Sequence, residues 1–424
     1  MTSFGDMPGD VLIFNKANIG DNMFESTCKT IFISKLLLGV ALAGTSVLAQ
    51  ADTIKIGLNS DLSATGSADF GISARAGAAE AIREINAAGG VLGEPLELVT
   101  RDDVGSPPKA IQNTNELVNN IGVKAMLGGV NSGNMLAWLH LVQNKKIPTI
   151  SPVATATDIT ARYAKAPQNY IFRVSMRDKD QLTLLTAYAA KASPEGKIAV
   201  IADTTGYGQQ GAKDAVELLA LHGIKPVAVE KFGPTDTDMT SQLNKIRSAG
   251  ADTLIVYALA DANAHVMRSL EKIDYWPTTL ASWANLSSPF VRIAGADLAK
   301  KMIFTASITE DSSAQSKKLY ETLLKANDGR LPTYVMAAHA YDSVKLLAAA
   351  MEQAQSTDGE KVQQALENLN KVQGVIKEYD HPFTHENHEA LSYKDFRLVR
   401  WEDGTVVSVD DKITQSLTAA DLKQ

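Results

Sequence analysis

The chain has 424 residues, 45% of them hydrophobic, 21% charged and 6% aromatic, an ordinary globular composition that excludes disorder, collagen and coiled coil. Its 41 basic residues against 48 acidic ones leave a net charge of -7, so nothing is available to neutralise a nucleic-acid backbone or coat an anionic membrane. A single cysteine, Cys28, excludes a disulfide framework and any multi-cysteine zinc or iron-sulfur site, and at about 150 residues per domain two domains are expected.

In chain order the first feature is an apolar run over 36–48, preceded by Lys29 and Lys35 and followed by Ala49-Gln50-Ala51. Positive charge, a short apolar core and a small-x-small triplet read as a secretory signal peptide, with cleavage expected after Ala51 and Met23 opening a more usual signal than Met1. The run is too short to span a bilayer comfortably, and nothing after it approaches the length of a membrane span. Cys28 precedes the run, whereas a lipid anchor needs its cysteine just after it, so a soluble exported protein is expected.

From 52 onward short apolar runs alternate with helical periodicity: strand 53–58, helix 70–86 closed by Gly89-Gly90, strand 96–100, helix 108–120, strand 123–127, helix 133–144 and strand 147–150. After Arg173 the rhythm restarts with helix 179–191, strand 197–201, helix 209–222, strand 226–230, helix 240–249, strand 253–257, helix 262–273 and strand 279–282. Two long helices, about 316–326 and 334–354, follow, and a hairpin about Asp403-Gly404 closes the chain. The pattern is α/β, two doubly wound parallel sheets with helices on both faces. Such sheets bind ligands beyond the carboxyl ends of their strands, so two facing ones make a cleft.

Gly206-Tyr-Gly-Gln-Gln-Gly211 matches the glycine fingerprint of dinucleotide sites, with Glu230 near the place of a ribose-binding acid. Thr204 and Thr205 separate it from the strand, and nicotinamide cofactors are scarce outside the cytoplasm, so a turn opening a helix is expected, with Tyr207 pointing into the cleft and no cofactor. His381, His385 and His388 beside Glu386 and Glu389 suggest a metal cluster, but His385-Glu386-Asn387-His388 is one residue short of the spacing that puts two histidines on one helix face, and a polar surface turn is expected instead. No catalytic constellation, phosphate loop or calcium loop appears. Ser132 and Thr155 each stand where a helix starts after a strand. Two helix amino ends, each with a hydroxyl, make a seat for a small anion, while two ordinary caps are the plain alternative. Removing either hydroxyl is expected to weaken binding and barely alter the fold.

Ile54-Lys-Ile-Gly57, Arg75-Ala-Gly-Ala-Ala-Glu-Ala-Ile82, Ile85-Asn-Ala-Ala-Gly-Gly90, Ser151-Pro-Val-Ala-Thr155, Phe172-Arg173 and Tyr207-Gly208 resemble the Leu/Ile/Val-binding family of periplasmic substrate-binding proteins for ABC transporters. The resemblance runs from about Thr53 to the terminal hairpin. It implies the type I fold, two lobes joined by three crossing strands that close over a small molecule without catalysis. Lobe one is expected at 52–175 with 306–375, lobe two at 176–305 with 376–424, and the crossings near Arg173, Thr305 and Gly374. It also implies a carboxylate on Ser132 and on the N–H and hydroxyl of Thr155, and an ammonium group facing the carbonyl of Val153. The family's aromatic positions near the ligand fall on Phe70 and Tyr207, and a second cleft tyrosine is lost at Leu259 or Ala260. The family's acid for the ammonium falls on Trp283. Asp178, or Arg177 beside it, could supply charge from the lobe junction, or both could be solvated. The expectation is a monomeric periplasmic component of an ABC importer, with permease and ATPase partners, holding an amino acid or, preferentially, an aromatic or other apolar carboxylic acid. A dinucleotide-dependent enzyme and a soluble ligand sensor are the alternatives.

Overall fold

The computed structural model describes residues 52–64 and 66–424; the signal-peptide reading, its cleavage after Ala51 and Cys28 all lie outside these residues. β1 (Ile54–Ser60) is buried along nearly all its length, as a central strand covered on both faces must be. It pairs with β2 (Leu96–Asp102) and β3 (Ala125–Leu127), and β4 (Thr149–Ser151) and β5 (Ile171–Arg173) extend the sheet in the order β2-β1-β3-β4-β5, every pair parallel. The connections carry α1 (Ala68–Ala87), α2 (Pro107–Asn115), α3 (Ser132–Lys145) and the short α4 (Asp158–Ala161). Pro107 and Pro108 open α2, where a missing N–H costs nothing. The helix expected to run to 120 changes to a wider π-type turn over Glu116–Ile121 and stops at Gly122, φ 73°.

α5 (Asp178–Ala192) leads into the second sheet. β6 (Ile198–Asp203), α6 (Gly206–Leu221), β7 (Ala228–Phe232), α7 (Thr240–Ser248), β8 (Thr253–Tyr257), α8 (Ala260–Lys272) and β9 (Thr278–Ala281) alternate along the chain. The small helices α9 (Ser288–Ala294) and α10 (Ala296–Ala299) precede β10 (Met302–Ala306). The parallel strands lie in the order β7-β6-β8-β9-β10, the winding of the first sheet repeated. The chain then forms α11 (Ala314–Ala326), α12 (Tyr334–Ala354), α13 (Gly359–Glu367) and the two-residue strands β11 (Val372–Gln373) and β12 (Glu378–Tyr379). It returns to the second sheet as β13 (Arg397–Glu402), antiparallel to β10, followed by β14 (Thr405–Ser408) and α14 (Lys412–Ser416). The hairpin turns on Asp403 and Gly404, both at positive φ, as a tight two-residue turn requires.

Packing decides where the long helices belong. α12 lies across α1 so closely that a Cβ on Gly77 would come within 1.9 Å of the Ala337 carbonyl oxygen, so glycine is the residue that admits the crossing. The third crossing, expected near Gly374, lies further along. Asp342 of α12 accepts the N–H groups of Val375 (2.7 Å) and Ile376 (3.0 Å) and the Tyr379 hydroxyl (2.9 Å), holding this stretch to the first sheet's helices. Phe172 of β5 then meets Phe383 edge-on at 5.0 Å and stacks on His388 at 4.0 Å. The chain leaves the first sheet only after Glu389 bridges to Arg173, just before β13.

Candidate functional site

The carboxyl end of β3 gives way to Gly128-Gly129 and then to α3. Asn131, in extended backbone, caps this helix by accepting the Gly133 N–H at 2.9 Å. The cap expected at Ser132 therefore sits one residue earlier, and Ser132 is the first helical residue. Its buried hydroxyl reaches across to the loop after β4, accepting the N–H of Thr155 (3.2 Å) and of Ala156 (3.1 Å). One of the donors assigned to a ligand carboxylate is thus already used within the protein, and the Ser132 hydroxyl has a structural duty that contradicts its expected dispensability for the fold. The Thr155 hydroxyl lies against the Asp178 carboxyl, and Val153 is buried alongside.

The loop is fixed from below by Arg173, which is wholly buried. Its Nη1 donates to the Ala156 carbonyl at 2.8 Å, and its Nε and Nη2 grip Glu389 at 2.7 and 2.8 Å in a two-point ion pair. Burial alone would raise the Glu389 carboxyl; the Arg173 charge outweighs it and holds the group below the usual range. The histidine-rich turn departs from expectation for the same reason. His381 and His385 are exposed, but His388 and Glu389 are buried, with His388 Nδ1 on the Ile171 carbonyl at 2.7 Å and Nε2 on Glu367 at 3.2 Å. Half of the surface turn is a structural bracket on β5. Among the described residues no group of three histidine, cysteine or acidic side chains is placed to hold a metal.

Asp178 opens α5 within the same neighbourhood. Its N–H donates to the Thr155 carbonyl at 2.9 Å, and its Oδ1 accepts the Tyr257 hydroxyl at 2.7 Å. The side chain is wholly buried and its Oδ2 has no hydrogen-bond partner among the described residues. Burial pushes this carboxyl up to about 7, against the opposing pull of the Thr155 and Tyr257 hydroxyls. Arg177 turns instead to Asp180, at 2.8 Å. Of the two junction charges, Asp178 is the one buried without an ion-pair partner among the described residues.

From the second sheet, Thr205 caps α6 by accepting the Gly208 N–H at 3.1 Å, and this sets Tyr207 at the helix start. Its ring packs against Tyr257 at 4.9 Å and its hydroxyl bonds to Ser282. Burial first, then the nearby Asp178 charge, hold the phenol neutral, well above its ordinary value. Each glycine of the fingerprint has a packing reason. A Cβ on Gly206 would lie 2.8 Å from Gly133 Cα, one on Gly208 2.3 Å from Asp203 Oδ1, and one on Gly211 1.9 Å from the Tyr257 ring. The motif that suggested a dinucleotide is what lets α6 meet α3 and Tyr257.

Trp283 lies in the turn after β9, buried, its N–H donated to Gln181 Oε1 at 3.0 Å; the same oxygen accepts the Thr305 hydroxyl at 2.8 Å. The indole tilts against His339 at 5.1 Å, and burial depresses that imidazole to about 3, so it is neutral. Phe70, near the start of α1, faces a pocket of about 230 Å3 with Ala260 and Asp261. Ser132, Thr155, Asp178 and Tyr207 thus converge directly or through Tyr257, whereas Phe70, Val153 and Trp283 join Tyr207 only as parts of one continuous apolar core. Tyr257, Gln181 and His339 were not singled out from sequence, because a tyrosine ending an apolar strand and polar residues inside helices carry no local mark. The loop after β4 also meets α6 directly, Thr157 Oγ1 donating to Asp214 Oδ2 at 2.7 Å. No helix of the described residues is long and apolar enough to cross a membrane.

The family model described as periplasmic binding protein matches residues 53–405. The Leu/Ile/Val-binding protein homolog 3 of Brucella melitensis is 28% identical, covering 89% of this chain and 99% of its own. A leucine-, isoleucine-, valine-, threonine- and alanine-binding protein of Pseudomonas aeruginosa is 30% identical over 79% of this chain and 87% of its own. Among solved structures, a type 1 periplasmic binding protein from Bordetella pertussis superposes with a TM-score of 0.75 at 25% identity, covering 84% of this chain and all of that one (100%). Two sheets of identical winding and these relatives agree: the chain belongs to the type I periplasmic binding protein family, in its Leu/Ile/Val-binding branch, and is a binding protein rather than an enzyme.

Proposed function

We propose that this protein is the periplasmic solute-binding component of an ABC importer, exported by a signal peptide cleaved after Ala51, and that as a monomer it delivers a small zwitterionic amino acid to a membrane permease and its ATPase. The observation that carries the reading is Asp178, a buried carboxyl with an unpaired oxygen beside Thr155 and the amino end of α3. An acid for an ammonium group and a helix end with a hydroxyl for a carboxylate are the two halves of an amino-acid site. The printed names of the Brucella and Pseudomonas relatives support the same ligand class. Asp178 also supplies the charge whose absence at Trp283 argued for a ligand without an amine. The lobes are taken as 52–175 with 306–388 and 176–305 with 389–424, moved from the expected boundary by the packing of 375–388.

A second reading keeps a specific observation in its favour. The Trp283 indole and a carboxyl that titrates near neutrality suit an aromatic acid lacking the α-amino group, since a protonated Asp178 would donate rather than attract a cation. Calorimetry with leucine, isoleucine, valine and phenylalanine against phenylacetate separates the two. Tighter binding of the amino acids, lost in Asp178→Asn, supports the proposal; a preference for phenylacetate that survives Asp178→Asn replaces it with the second reading, and no binding of either set removes both. Ligand should also shrink the particle in solution scattering, and an unchanged profile at saturation counts against closure.

A further inference from the structure

A cavity of about 610 Å3 opens between the loops of the second sheet and the start of α12. Its walls include Leu286 and Val291 at α9, Leu331 and Tyr334 at α12, Tyr320 of α11 and Trp401 of β13, and none of the seven cleft residues discussed above lines it. The volume lies in the range of about 300–1,000 Å3 typical of small-molecule sites. The walls are fixed in place. The Tyr334 hydroxyl donates to the Ser316 carbonyl at 3.0 Å and accepts from the Ser316 hydroxyl at 2.8 Å, and its ring meets Tyr320 edge-on at 5.5 Å. Trp401 Nε1 donates to the Asn285 carbonyl at 2.8 Å, and the Ser288 N–H reaches the Pro332 carbonyl at 3.0 Å, tying one side of the cavity to the other.

With these atoms committed, the lining is mixed: apolar faces from the two leucines, Val291 and the aromatic rings stand beside a polar part that includes Ser288, Thr333, Glu310, Asp311 and Arg292. Thr333 lines the cavity at 2% exposure and its Oγ1 has no partner among the described residues. Glu310 is half-buried, its carboxyl raised by burial and further by the neighbouring Asp311, which itself accepts the Thr309 hydroxyl at 2.8 Å. Arg292, exposed, is the cation on the lining, so two carboxyls against one guanidinium leave an excess of negative charge. Aromatic walls with a carboxylate at one end recognise an apolar body carrying a cation. We propose that this cavity is a second ligand site, taking a small organic ammonium with an aromatic or apolar body, its ring between Tyr334 and Trp401 and its N–H groups shared by Glu310 and the Thr333 hydroxyl.

The probe is 2-phenylethylamine, titrated calorimetrically into the wild type, Glu310→Gln, Leu286→Trp and Thr155→Ala. One saturable site is expected, weakened about tenfold or more by Glu310→Gln through the lost charge-assisted bond, abolished when Leu286→Trp fills the cavity, and unchanged by Thr155→Ala. Glu310 is a partly exposed side chain, so its replacement leaves the fold intact even where Leu286→Trp does not. Absence of binding at millimolar amine, binding indifferent to Glu310→Gln, or binding that falls with Thr155→Ala, which would put the amine in the main cleft, each overturns the proposal.

Discussion

Replacing Gly206 by alanine tests closure and fold against each other. The added Cβ would lie 2.8 Å from Gly133 Cα and 3.0 Å from Gly133 N, both backbone atoms at the amino end of α3, and neither can swing aside as a side chain could. Overpacking of this kind costs about 1–3 kcal/mol. On the proposed hinge closure it would fall only on the closed arrangement, since separating the two sheets removes the contact, so ligand affinity should drop by about 5- to 150-fold. The ligand-free protein responds in the opposite sense. Gly206 does not have positive φ, so alanine fits its backbone, and loss of a glycine stabilises the folded chain by about 0.4–1 kcal/mol through the entropy of the unfolded one. Affinity down and ligand-free melting temperature slightly up is the signature, read by calorimetric titration with leucine and by scanning calorimetry. Gly133→Ala is the milder comparison, because its Cβ would meet Gly206 Cα at an ordinary 3.5 Å and crowd only the Asn131 side-chain oxygen, at 3.2 Å. A Gly206→Ala protein with wild-type affinity would refute the closed contact.

Ser132→Ala should lower stability as well as affinity, by about 1–3 kcal/mol in thermal or urea unfolding, because two buried N–H groups lose their acceptor; an unchanged melting temperature would show that water or the loop replaces it. Asp178 gives a pH dependence of defined sign. Its carboxyl stands near 7 in the folded protein against 3.8 as a free group, so its burial contributes stability below about pH 4 that is lost as pH rises through about 7. A bound ammonium pulls that value down, so amino-acid affinity should rise between about pH 6 and 8 with proton release on binding, and Asp178→Asn should flatten the profile. Titrations in buffers of different ionisation enthalpy measure the proton directly, and equal heats in all of them would contradict this role. Glu389→Gln leaves Arg173 buried without its counter-charge and should cost about 3–5 kcal/mol of unfolding free energy; a loss below about 1 kcal/mol would mean that Thr160 and Ala156 suffice to hold the guanidinium.

The alternation of strand and helix was legible because parallel strands buried on both faces read as continuous apolar runs, Ile198–Asp203 and Thr253–Tyr257 being the clearest. The hairpin at Asp403-Gly404 was equally legible, and the resemblance put it in the second lobe, but the pairing of β13 with β10 was not, since pairing partners leave no mark in a local pattern. Asp178 illustrates the harder case. Arg177-Asp178-Lys179-Asp180 has the composition of a solvated turn, yet tertiary packing takes both Asp178 and Asp180 out of water, the first against Tyr257, 79 residues away. Glu389 was read as surface for the same reason, because its partner Arg173 lies 216 residues earlier. The crossing expected near Gly374 came from the family resemblance, which could not show that Asp342 gathers the N–H groups of Val375 and Ile376 and holds this stretch to α12. Ser132 and the fingerprint glycines were found by pattern and then reassigned, since what each hydroxyl or missing Cβ touches is a matter of tertiary contact.

The meeting of Gly133 with Gly206 brings the amino ends of α3 and α6 together, and both ends carry the partial positive charge of an aligned helix. An empty protein that closes would bring these ends face to face with only the Asp203 carboxyl, which accepts the Thr205 N–H at 2.9 Å, to offset them. A carboxylate placed between them reverses the sign of the encounter. On the proposed reading closure would act as a check on cargo: the shape of a loaded protein would be electrostatically discouraged in a vacant one, and a permease responding to that shape would spend little ATP on empty carriers.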